Sequence, residues 1–366
     1  MEILTLSESG QWLAVLEKIG TYAFYHLPAF YGLYESLGLG KAIMPVFQDS
    51  GYAIAFPILV RDVEIPGVVE AETGLRDAIS VPGFAGPVAS AEIPEAVRRR
   101  FVGELQGFFE QSGIISVYAR LNPLTNPPGV LDGYGETVQV GVTVSIDLTD
   151  PSDVQRARYR QGHRYEINRL RKLGFVCEEV GPEYIDDFLR VYYDAMDRVH
   201  ASREYYFDRR YIEYLLTDMS DVAHLFVCRQ DGVIASAFIE TACKGIMEVY
   251  IGGTASEYRR LAPDKLVYDT VREWGTSAGA RVYHLGGGVG AQRDSLYEFK
   301  MGFGGEEHAY STWRHVVNPE IYDELYRTAS QRTGVELDES YFPRYRHPML
   351  INALSGIRDE VKSHDE

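Results

Sequence analysis

The segment Leu285–Gly304, LGGGVGAQRDSLYEFKMGFG, decides the fold of this 366-residue chain. It joins a glycine cluster to an acidic turn and a short helix-like run that carries one lysine, Lys300. Gly286, Gly288 and Ala291 match the dinucleotide pattern G-x-G-x-x-G/A after an apolar run, but no βαβ unit follows and no ribose-binding acid is in place. We therefore exclude a nucleotide loop of the Rossmann type.

The second half of the segment predicts a short helix. Ser295–Glu298 fits the capping box S-x-x-E, and Gly302 or Gly304 would end the helix. Its predicted apolar stripe consists of Leu296, Phe299 and Phe303.

Lys300 lies beside that stripe, four residues after Leu296, so its ammonium must reach water or meet an anion. Two interpretations are open. The lysine pairs with Glu306 or Asp294, or it is a fixed cation in a tyrosine-lined cleft, where it stabilises a phosphate or a developing oxyanion.

An order of signals repeats in the two halves of the chain. Lys41–Val60 and Val222–Ala242 each read as two apolar runs around a polar turn, which is typical of a hairpin, and Gly51 and Gly232 are taken as equivalent. Chance similarity is the alternative. The repeat predicts an α/β (α+β) protein built from two copies of one unit.

Each hairpin is followed by a helical pattern and then a strand. Gly113 and Gly279 would end the two helices. The predicted core positions are Val97, Phe101, Leu105 and Phe108 in the first helix, and Leu266, Val267, Thr270, Val271 and Trp274 in the second.

The turn-rich link Ser145–Asp153 separates the two copies. It predicts an N-terminal domain over residues 1–150 and a C-terminal domain over 151–345, followed by a charged, peripheral tail over 346–366.

Composition limits the possible partners and compartment. The net charge of −17 repels nucleic acid at long range, so a polyanionic partner needs a local basic patch. No signal peptide or membrane span is visible, and Cys177, Cys228 and Cys243 lack metal spacing. These features predict a cytoplasmic protein with reduced thiols and no insertion into a membrane.

The basic patch is predicted on Arg156–Gly174, which contains seven Arg/Lys, His163 and one acid, Glu166. We predict one helix from Pro151 to Leu173, with Tyr159, Ile167 and Leu170 facing the core. Its cations either form surface ion pairs with acids elsewhere or bind phosphate groups.

The segment HLGGGVGAQRDSLYEFKMGFGG, residues 284–305, resembles the closing motif of the FemABX-like branch of the GNAT acyltransferase superfamily, which is similar to its acetyltransferase 6 domain. RQGHRYEINRLRKLGFVCEEV, residues 160–180, resembles the second motif of that branch. Arg190–Phe207 and Tyr25–Ser36 are similar to further family segments, and the resemblance extends from Tyr22 to Tyr326.

This resemblance implies two tandem GNAT-like domains, each a mixed twisted sheet flanked by helices. It also implies transfer of an amino acid from aminoacyl-tRNA to an amine acceptor, either a peptidoglycan precursor or a small-molecule intermediate. Lys300 matches the lysine that contacts substrate. The helical-hairpin insertion of some Fem proteins is absent, and the residues that bind the precursor have no secure match.

The predicted catalytic residues are Lys300 and Asp294. Asp294, His284 or the substrate itself would remove the proton of the acceptor amine, although a structural role for His284 is the alternative. The predicted substrate-binding residues are Tyr25, His26, Arg160, His163, Arg164, Tyr206, Tyr250, His284 and Gly287.

Other candidates carry less. Tyr205 is placed with Tyr206 in the cleft, with core packing as the alternative. Asp197 and His200 lack a third ligand, so no metal site is predicted.

The donor is predicted from the turn TASEYRRLAPDKL, residues 254–266. Coenzyme-A-dependent GNAT proteins hold pyrophosphate on the backbone of an R/Q-x-x-G-x-G/A turn, whereas Arg259–Ala262 lacks both glycines and Pro263 lacks an N–H. Aminoacyl-tRNA is therefore the preferred donor and no bound cofactor is predicted. The alternatives are acyl-CoA and a catalytically inactive binding protein.

Overall fold

The computed structural model describes residues 1–70, 73–90, 92–127, 129–338 and 340–364, and the chain divides into two units. Unit 1 comprises Met1–Gln139 and Ser311–Glu366, and unit 2 comprises Val140–Tyr310. These boundaries differ from the predicted division into 1–150, 151–345 and a tail, because the chain returns to unit 1 after residue 310.

Unit 1 is a mixed sheet with helices. Its strands are β1 (Glu2–Thr5), β2 (Lys41–Asp49), β3 (Tyr52–Ala55), β4 (Ile58–Asp62), β5 (Arg76–Ile79), β6 (Val88–Ala89) and β7 (Ile114–Arg120). Its helices are α1 (Ser9–Ile19), α2 (Pro28–Ser36), α3 (Glu95–Gln111), α10 (Pro319–Thr333) and α11 (Pro348–His364).

Unit 2 contains the lysine motif. Its strands are β9 (Val176–Val180), β10 (Ala223–Gln230), β11 (Val233–Cys243), β12 (Ile246–Thr254) and β13 (Val282–Gly286). Its helices are α4 (Ser152–Ala157), α5 (Gln161–Lys172), α6 (Ile185–Arg198), α7 (Arg209–Thr217), α8 (Asp264–Ser277) and α9 (Ser295–Met301). Strands β8 (Glu136–Asp147) and β14 (Glu306–Val316) each contain residues of both units.

Both units contain the same crossover, in which a helix connects two parallel strands. In unit 1, α3 connects β5 to the parallel strand β7, and in unit 2, α8 connects β12 to the parallel strand β13. Gly113 and Gly279 follow the two helices with positive φ, as predicted. The predicted α/β fold with a repeated unit is thus confirmed.

The proposed equivalence of Gly51 and Gly232 is confirmed. Gly232 turns β10 into β11, which lies beside β12. Gly51 turns β2 into β3 and β4, which pair with β2 in one continuous register from Asp49 and Tyr52 to Lys41 and Val60, and β4 lies beside β5. Strands β3 and β4 together therefore correspond to β11, and the two hairpins occupy equivalent places in their sheets.

The C-terminal segment packs into unit 1. Leu350 is fully buried, and the carboxylate of Asp77 on β5 accepts hydrogen bonds from Arg346 and from the Tyr345 hydroxyl, the latter at 3.2 Å. Arg61 forms a third contact with Asp77, at 2.7 Å. Residues 346–357 are thus part of the core of unit 1, whereas residues 365 and 366 of the predicted tail lie outside the described residues.

The predicted single helix over 151–173 is wrong in one respect. It is two helices, α4 and α5, with Arg158–Arg160 between them. The predicted core residues Tyr159, Ile167 and Leu170 are all buried. The break allows Tyr159, which follows α4, to turn inward onto α8, where its hydroxyl lies 3.1 Å from Asp269.

Candidate active site around Lys300

The site lies where two parallel strands separate. Strands β12 and β13 pair only from Ile246 and Val282 to Glu248 and His284. Beyond this point β12 continues to Thr254 along β11 alone. Ligands of α/β sheets bind beyond the carboxyl ends of parallel strands, and this is where the loop after β13 brings Lys300.

Asp294 fixes the start of α9. Its carboxylate accepts the backbone N–H groups of Tyr297 and Val289, each at 2.9 Å. Although burial acts in the other direction, these hydrogen bonds hold the pKa of Asp294 below its usual range. The N-cap is therefore Asp294, and the predicted capping box on Ser295 is wrong because the helix begins one residue earlier than such a box requires.

The glycine cluster provides space for this loop. A Cβ atom on Gly287 would lie 2.6 Å from the carbonyl oxygen of Val142, and one on Gly288 would collide with the Asp294 carboxylate. Gly286 has a φ of +72°, and a Cβ there would lie 3.4 Å from Lys300 Nζ. The glycines thus allow the loop to pack against β8, Asp294 and the lysine.

Lys300 is buried, with an exposed fraction of 7%. Its ammonium donates a hydrogen bond to the carbonyl oxygen of Gly287 at 2.5 Å. Within the described part of the chain, no carboxylate lies within ion-pair distance of Nζ, so the predicted pairing with Glu306 or Asp294 is wrong. Burial lowers the pKa of Lys300 to about 8, and the charges of Asp294 and Glu240 act in the opposite direction.

Two N–H groups of this ammonium have no acceptor among the described residues. A cation held in this way stabilises a developing negative charge, because it is desolvated and already oriented before the reaction.

The apolar stripe of α9 differs from the prediction in one position. Phe303 is fully buried, whereas 39% of Leu296 is exposed and Tyr297 takes the place of Leu296 in the core.

The most unusual side chain near Lys300 was missed in the sequence. Glu240 on β11 is fully buried, and neither carboxyl oxygen forms a hydrogen bond of standard geometry. Burial raises its pKa well above the usual value, and Tyr283 and Lys300 lower it. The only signal in the sequence was an acid within the apolar run VIASAFIETAC.

His284 lies on the opposite face of β13 from Tyr283. Its Nδ1 lies 3.2 Å from the carboxylate of Glu248 on β12, and both side chains are buried. Burial lowers the pKa of His284 to about 3 and raises that of Glu248 to about 8. This geometry favours the structural role for His284, because the ring connects the two parallel strands.

Two of the predicted substrate-binding residues in the basic segment contact other residues of unit 2. Arg160 binds Glu298 at 2.6 Å, and Nε2 of the buried His163 lies 2.9 Å from the carbonyl oxygen of Phe299. Burial lowers the pKa of His163. Arg164 is exposed. The structure therefore brings Arg160 and His163 into contact with α9, the helix that carries Lys300.

The hydroxyl groups of the predicted substrate-binding tyrosines Tyr206 and Tyr250 form hydrogen bonds with other side chains. The Tyr206 hydroxyl donates to Asp197 at 2.8 Å, so Asp197 is engaged by this tyrosine. The hydroxyl groups of Tyr250 and Tyr211 form a hydrogen bond with each other. Tyr205 is 53% exposed, and its carbonyl oxygen accepts from Tyr192 at 2.5 Å.

Tyr25 and His26 are buried in unit 1. Tyr25 packs against Phe24, Phe30 and Phe84, and His26 is fully buried. In this conformation neither side chain is accessible to a ligand from solution.

No group of three or more His, Cys, Asp or Glu side chains that could hold a metal ion occurs among the described residues. Within the same residues, no helix is both long enough and apolar enough to cross a membrane.

Backbone N–H groups of the turn between β12 and α8 donate hydrogen bonds within the turn itself. The N–H groups of Tyr258, Ala262 and Lys265 donate to carbonyl groups of the turn at 2.9, 3.2 and 3.1 Å. The N–H of Ser256 donates to Asp194 at 2.5 Å, and Pro263 has no N–H. The carboxylate of Asp264 also accepts from the Lys265 N–H, at 3.0 Å. A negative carboxylate therefore lies where α8 begins.

Comparisons with known proteins agree with this architecture. Residues 157–301 match the family model of the acetyltransferase (GNAT) domain. The crystal structure of FemX is similar with a TM-score of 0.69 and 12% identity, over 88% of this chain and 99% of that chain.

Two further solved structures are similar. One is a conserved protein of unknown function from Bacteroides thetaiotaomicron, with a TM-score of 0.54 and 11% identity, covering 85% of this chain and 97% of the other. The second is L-PGS from Bacillus licheniformis, with a TM-score of 0.53 and 14% identity, covering 86% and 94%. No curated protein matches the chain significantly.

The predicted resemblance to the FemABX-like branch of the GNAT superfamily is confirmed, as is the tandem GNAT-like fold. The chain thus has a fold of the GNAT type, and Lys300 lies in the segment that the family model matches.

Proposed function

We propose that this chain, with a GNAT domain over residues 157–301 and a fold similar to FemX, transfers an amino acid from aminoacyl-tRNA to an amine and forms an amide. Lys300 supplies the positive charge at the reacting carbonyl. The acceptor bears a primary amine, as in a peptidoglycan precursor or a small-molecule intermediate.

The observation that carries the choice of donor is the turn between β12 and α8. Coenzyme A binding in this fold needs backbone N–H groups that point at the pyrophosphate. Here the N–H groups of Tyr258, Ala262 and Lys265 are bound within the turn, and the Asp264 carboxylate repels a second anion. A donor held by its nucleic-acid part does not need this cradle.

The outer face of α5 offers a contact for such a donor. Arg164, Tyr165, Arg169 and Lys172 are exposed on this helix. Tyr165, Arg169 and Lys172 follow one another at i, i+4 and i+7, so they share one face. Exposed cations around an aromatic ring suit a phosphate backbone and an unpaired base.

The remaining cations of the basic segment form ion pairs with acids of unit 2. Arg158 pairs with Asp150, and Arg171 lies 2.9 Å from Asp269. Glu166, the one acid of the segment, pairs with Lys265. Within the described residues, the three cations of the outer face have no ion-pair partner, so a local positive surface exists on a chain with a net charge of −17.

The reaction begins when the acceptor amine attacks the ester carbonyl of the aminoacyl group. The oxygen becomes an oxyanion beside the Lys300 ammonium, and the nitrogen becomes an ammonium. The C–O bond to the ribose then breaks, and the proton of the nitrogen passes to the leaving ribose oxygen. This route uses the substrate itself as base, because Asp294 has a low pKa and accepts two backbone N–H groups.

The test is transfer of radiolabelled amino acids from total charged tRNA to a pool of amines. We expect labelled amide that disappears after RNase treatment. Arg169→Glu should weaken the apparent affinity for charged tRNA about tenfold and flatten its salt dependence. Arg210→Glu is the matched control, because Arg210 is an exposed arginine on α7.

Product formation that resists RNase would contradict the tRNA-dependent reaction. Turnover with acetyl-CoA alone would establish an acyl-CoA-dependent N-acyltransferase, which the description of the matching family favours. If no donor supports chemistry while ligands bind, the chain is a binding protein on this fold.

A further inference from the structure

We propose that Cys177 and Cys228 form a modification site, at which a low-molecular-weight disulfide such as oxidised glutathione converts two opposed thiols into a reversible disulfide between β9 and β10. Both cysteines are free thiols in the structure. The inference concerns unit 2 alone. It does not depend on the proposed function, because the state of the thiols is measured without a donor or an acceptor.

The two cysteines lie directly opposite each other on neighbouring strands. Strand β9 pairs antiparallel with β10, and Cys228 is the register partner of Cys177. The side chains of opposed residues point to the same face of a sheet. On this face Cys228 belongs to the hydrophobic core of unit 2, and Cys177 packs against the same core. The two sulfur atoms therefore lie on one side of the sheet.

The cysteines occupy the kind of pair in which side chains come closest. The Ala242 N–H donates to the carbonyl oxygen of Val222 at 2.8 Å, where the ladder between β11 and β10 begins. Hydrogen bonding to one neighbour involves every second residue of an antiparallel strand, and the register from Ala223 to Cys228 is regular. Cys228 therefore directs its backbone groups toward β11, and its pair with Cys177 is not hydrogen-bonded.

This geometry suits a disulfide. The Cα atoms of such a pair lie about 4.5 Å apart, and a disulfide spans Cα separations of about 4.4–6.8 Å. Small adjustments fall on β9, because it is the last strand of the sheet and has one neighbour, β10, within the described residues. The bond therefore needs no change in the strand order.

The two thiols differ in access. Cys228 is fully buried, whereas Cys177 is half-buried on the last strand of the sheet. Burial raises the pKa of Cys177 to about 12, so the reactive thiolate is scarce and the closed fold reacts slowly. Opening of the five-residue strand β9 exposes Cys177 and removes this effect. Cys177 is thus the thiol that reacts first, and Cys228 resolves the product.

The reaction is two successive thiol–disulfide exchanges. The thiolate of Cys177 attacks one sulfur of the oxidising disulfide, whose S–S bond breaks, and one thiolate leaves a mixed disulfide on Cys177. After β9 closes, the sulfur of Cys228 attacks that of Cys177, and the second thiolate leaves. The two protons of the protein thiols pass to the two leaving thiolates, and two electrons reduce the oxidant.

The bond would fasten the edge of the sheet. It closes a covalent loop over residues 177–228, which contains α6 and α7. A cross-link of this kind restricts the unfolded chain and holds β9 against β10. We therefore expect oxidation to raise the thermal stability of the protein and to slow hydrogen exchange at the amide groups of β9.

The test counts thiols in the full chain. The protein is equilibrated with oxidised glutathione at pH 8, denatured and alkylated with N-ethylmaleimide. The reduced protein has three thiols, and we expect one after oxidation, with a peptide linked through Cys177 and Cys228 and the alkyl group on Cys243. Dithiothreitol should restore all three. The midpoint of thermal unfolding should rise by about 3 °C or more on oxidation.

Cys243→Ser is the matched control. Cys243 is also buried, but it lies opposite Ile246 and has no thiol across from it. This variant should still lose two thiols and gain thermal stability. Cys228→Ala should form no internal link, so its thermal midpoint should not rise. Cys177→Ser tests the same loss at the half-buried position if Cys228→Ala does not fold.

Because the closed fold reacts slowly, the oxidation is repeated in a sub-denaturing concentration of urea, which favours opening of β9. Three thiols remaining under both conditions would overturn the proposal, and so would a link that involves Cys243. A link between Cys177 and Cys228 that lowers the thermal midpoint would also overturn it, since the native sheet would then not hold the two thiols in a suitable position.

Discussion

Asp269 and Glu240 are both fully buried carboxylates of unit 2, yet their surroundings are opposite. Asp269 lies 2.9 Å from Arg171, 3.1 Å from the Tyr159 hydroxyl and 3.2 Å from Arg272. Glu240 forms no hydrogen bond of standard geometry within the described residues, although the Tyr283 hydroxyl acts on its carboxyl group. The comparison teaches that burial alone does not decide whether an acid is structural; the partners that compensate its charge do.

The Asp269 network fastens three helices together. Arg272 on α8 is fully buried and donates to the Tyr159 hydroxyl at 2.7 Å, to Gln155 of α4 at 2.8 Å and to Ser152 at 2.9 Å. Arg171 extends the same network to α5. Because every charge is compensated, this region is structural, and it positions α5 next to α9, the helix that carries Lys300.

The largest effect on stability is expected from Asp269→Ala. The change leaves Arg272 and Arg171 without their shared acceptor, and an uncompensated buried cation costs about 3–5 kcal/mol. Urea unfolding should show this loss in the free energy of unfolding. Asp153→Ala, at an exposed acid of α4, is the control and should change it by less than about 0.5 kcal/mol. Equal stability of the two variants would remove the distinction between the regions.

Lys300→Met should reduce activity without reducing stability, which distinguishes it from Asp269→Ala. Transfer activity should fall about 10²- to 10³-fold, because the oxyanion loses the ammonium that stabilises it. The free energy of unfolding at pH 7 should not fall, since burial already disfavours an ammonium whose pKa is lowered to about 8. Parallel kinetics and urea unfolding test both statements, with Lys18→Met at the surface as control. A stability loss similar to that of Asp269→Ala would make Lys300 structural.

The smallest expected effect is on the pH dependence of stability and concerns Glu248. This buried acid lies between Asp269 and Glu240 in the comparison, because it contacts His284. Its pKa is raised to about 8, so the folded protein holds a proton that the unfolded chain releases near 4.5. The stabilisation is present at low pH and is lost as the pH rises toward 8.

Between pH 6.5 and 8, the wild-type protein should lose roughly 1.5 kcal/mol more than Glu248→Gln. His284 is neutral in the folded protein and half protonated in the unfolded chain at pH 6.5, in the wild-type protein and in Glu248→Gln alike, so the comparison of the two proteins isolates Glu248. Urea unfolding at the two pH values measures the difference. Parallel pH curves for the two proteins would contradict it.

Local patterns predicted the secondary structure around the site well. The helical spacing of Val97, Phe101 and Leu105 placed α3, and all three are buried. The turn around Gly232 placed the β10–β11 hairpin. Such patterns depend on neighbours in sequence, so one sequence suffices to recognise them.

Contacts between distant segments were not predictable in the same way. Arg160 and Arg164 have similar sequence surroundings, yet Arg160 binds Glu298, 138 residues away, and Arg164 is exposed. The pairing of β4 with β5 likewise joins segments whose partnership no local pattern states.

The sequence by itself determined that a lysine follows a glycine-rich loop on a short helix in a repeated α/β unit, because spacing and turn chemistry are local properties. Only the tertiary structure decided that this lysine is buried against Gly287 without a direct ion pair. It also decided that Glu240, on strand β11, is fully buried. Burial and electrostatic interactions depend on distances in space, which the order of residues does not state.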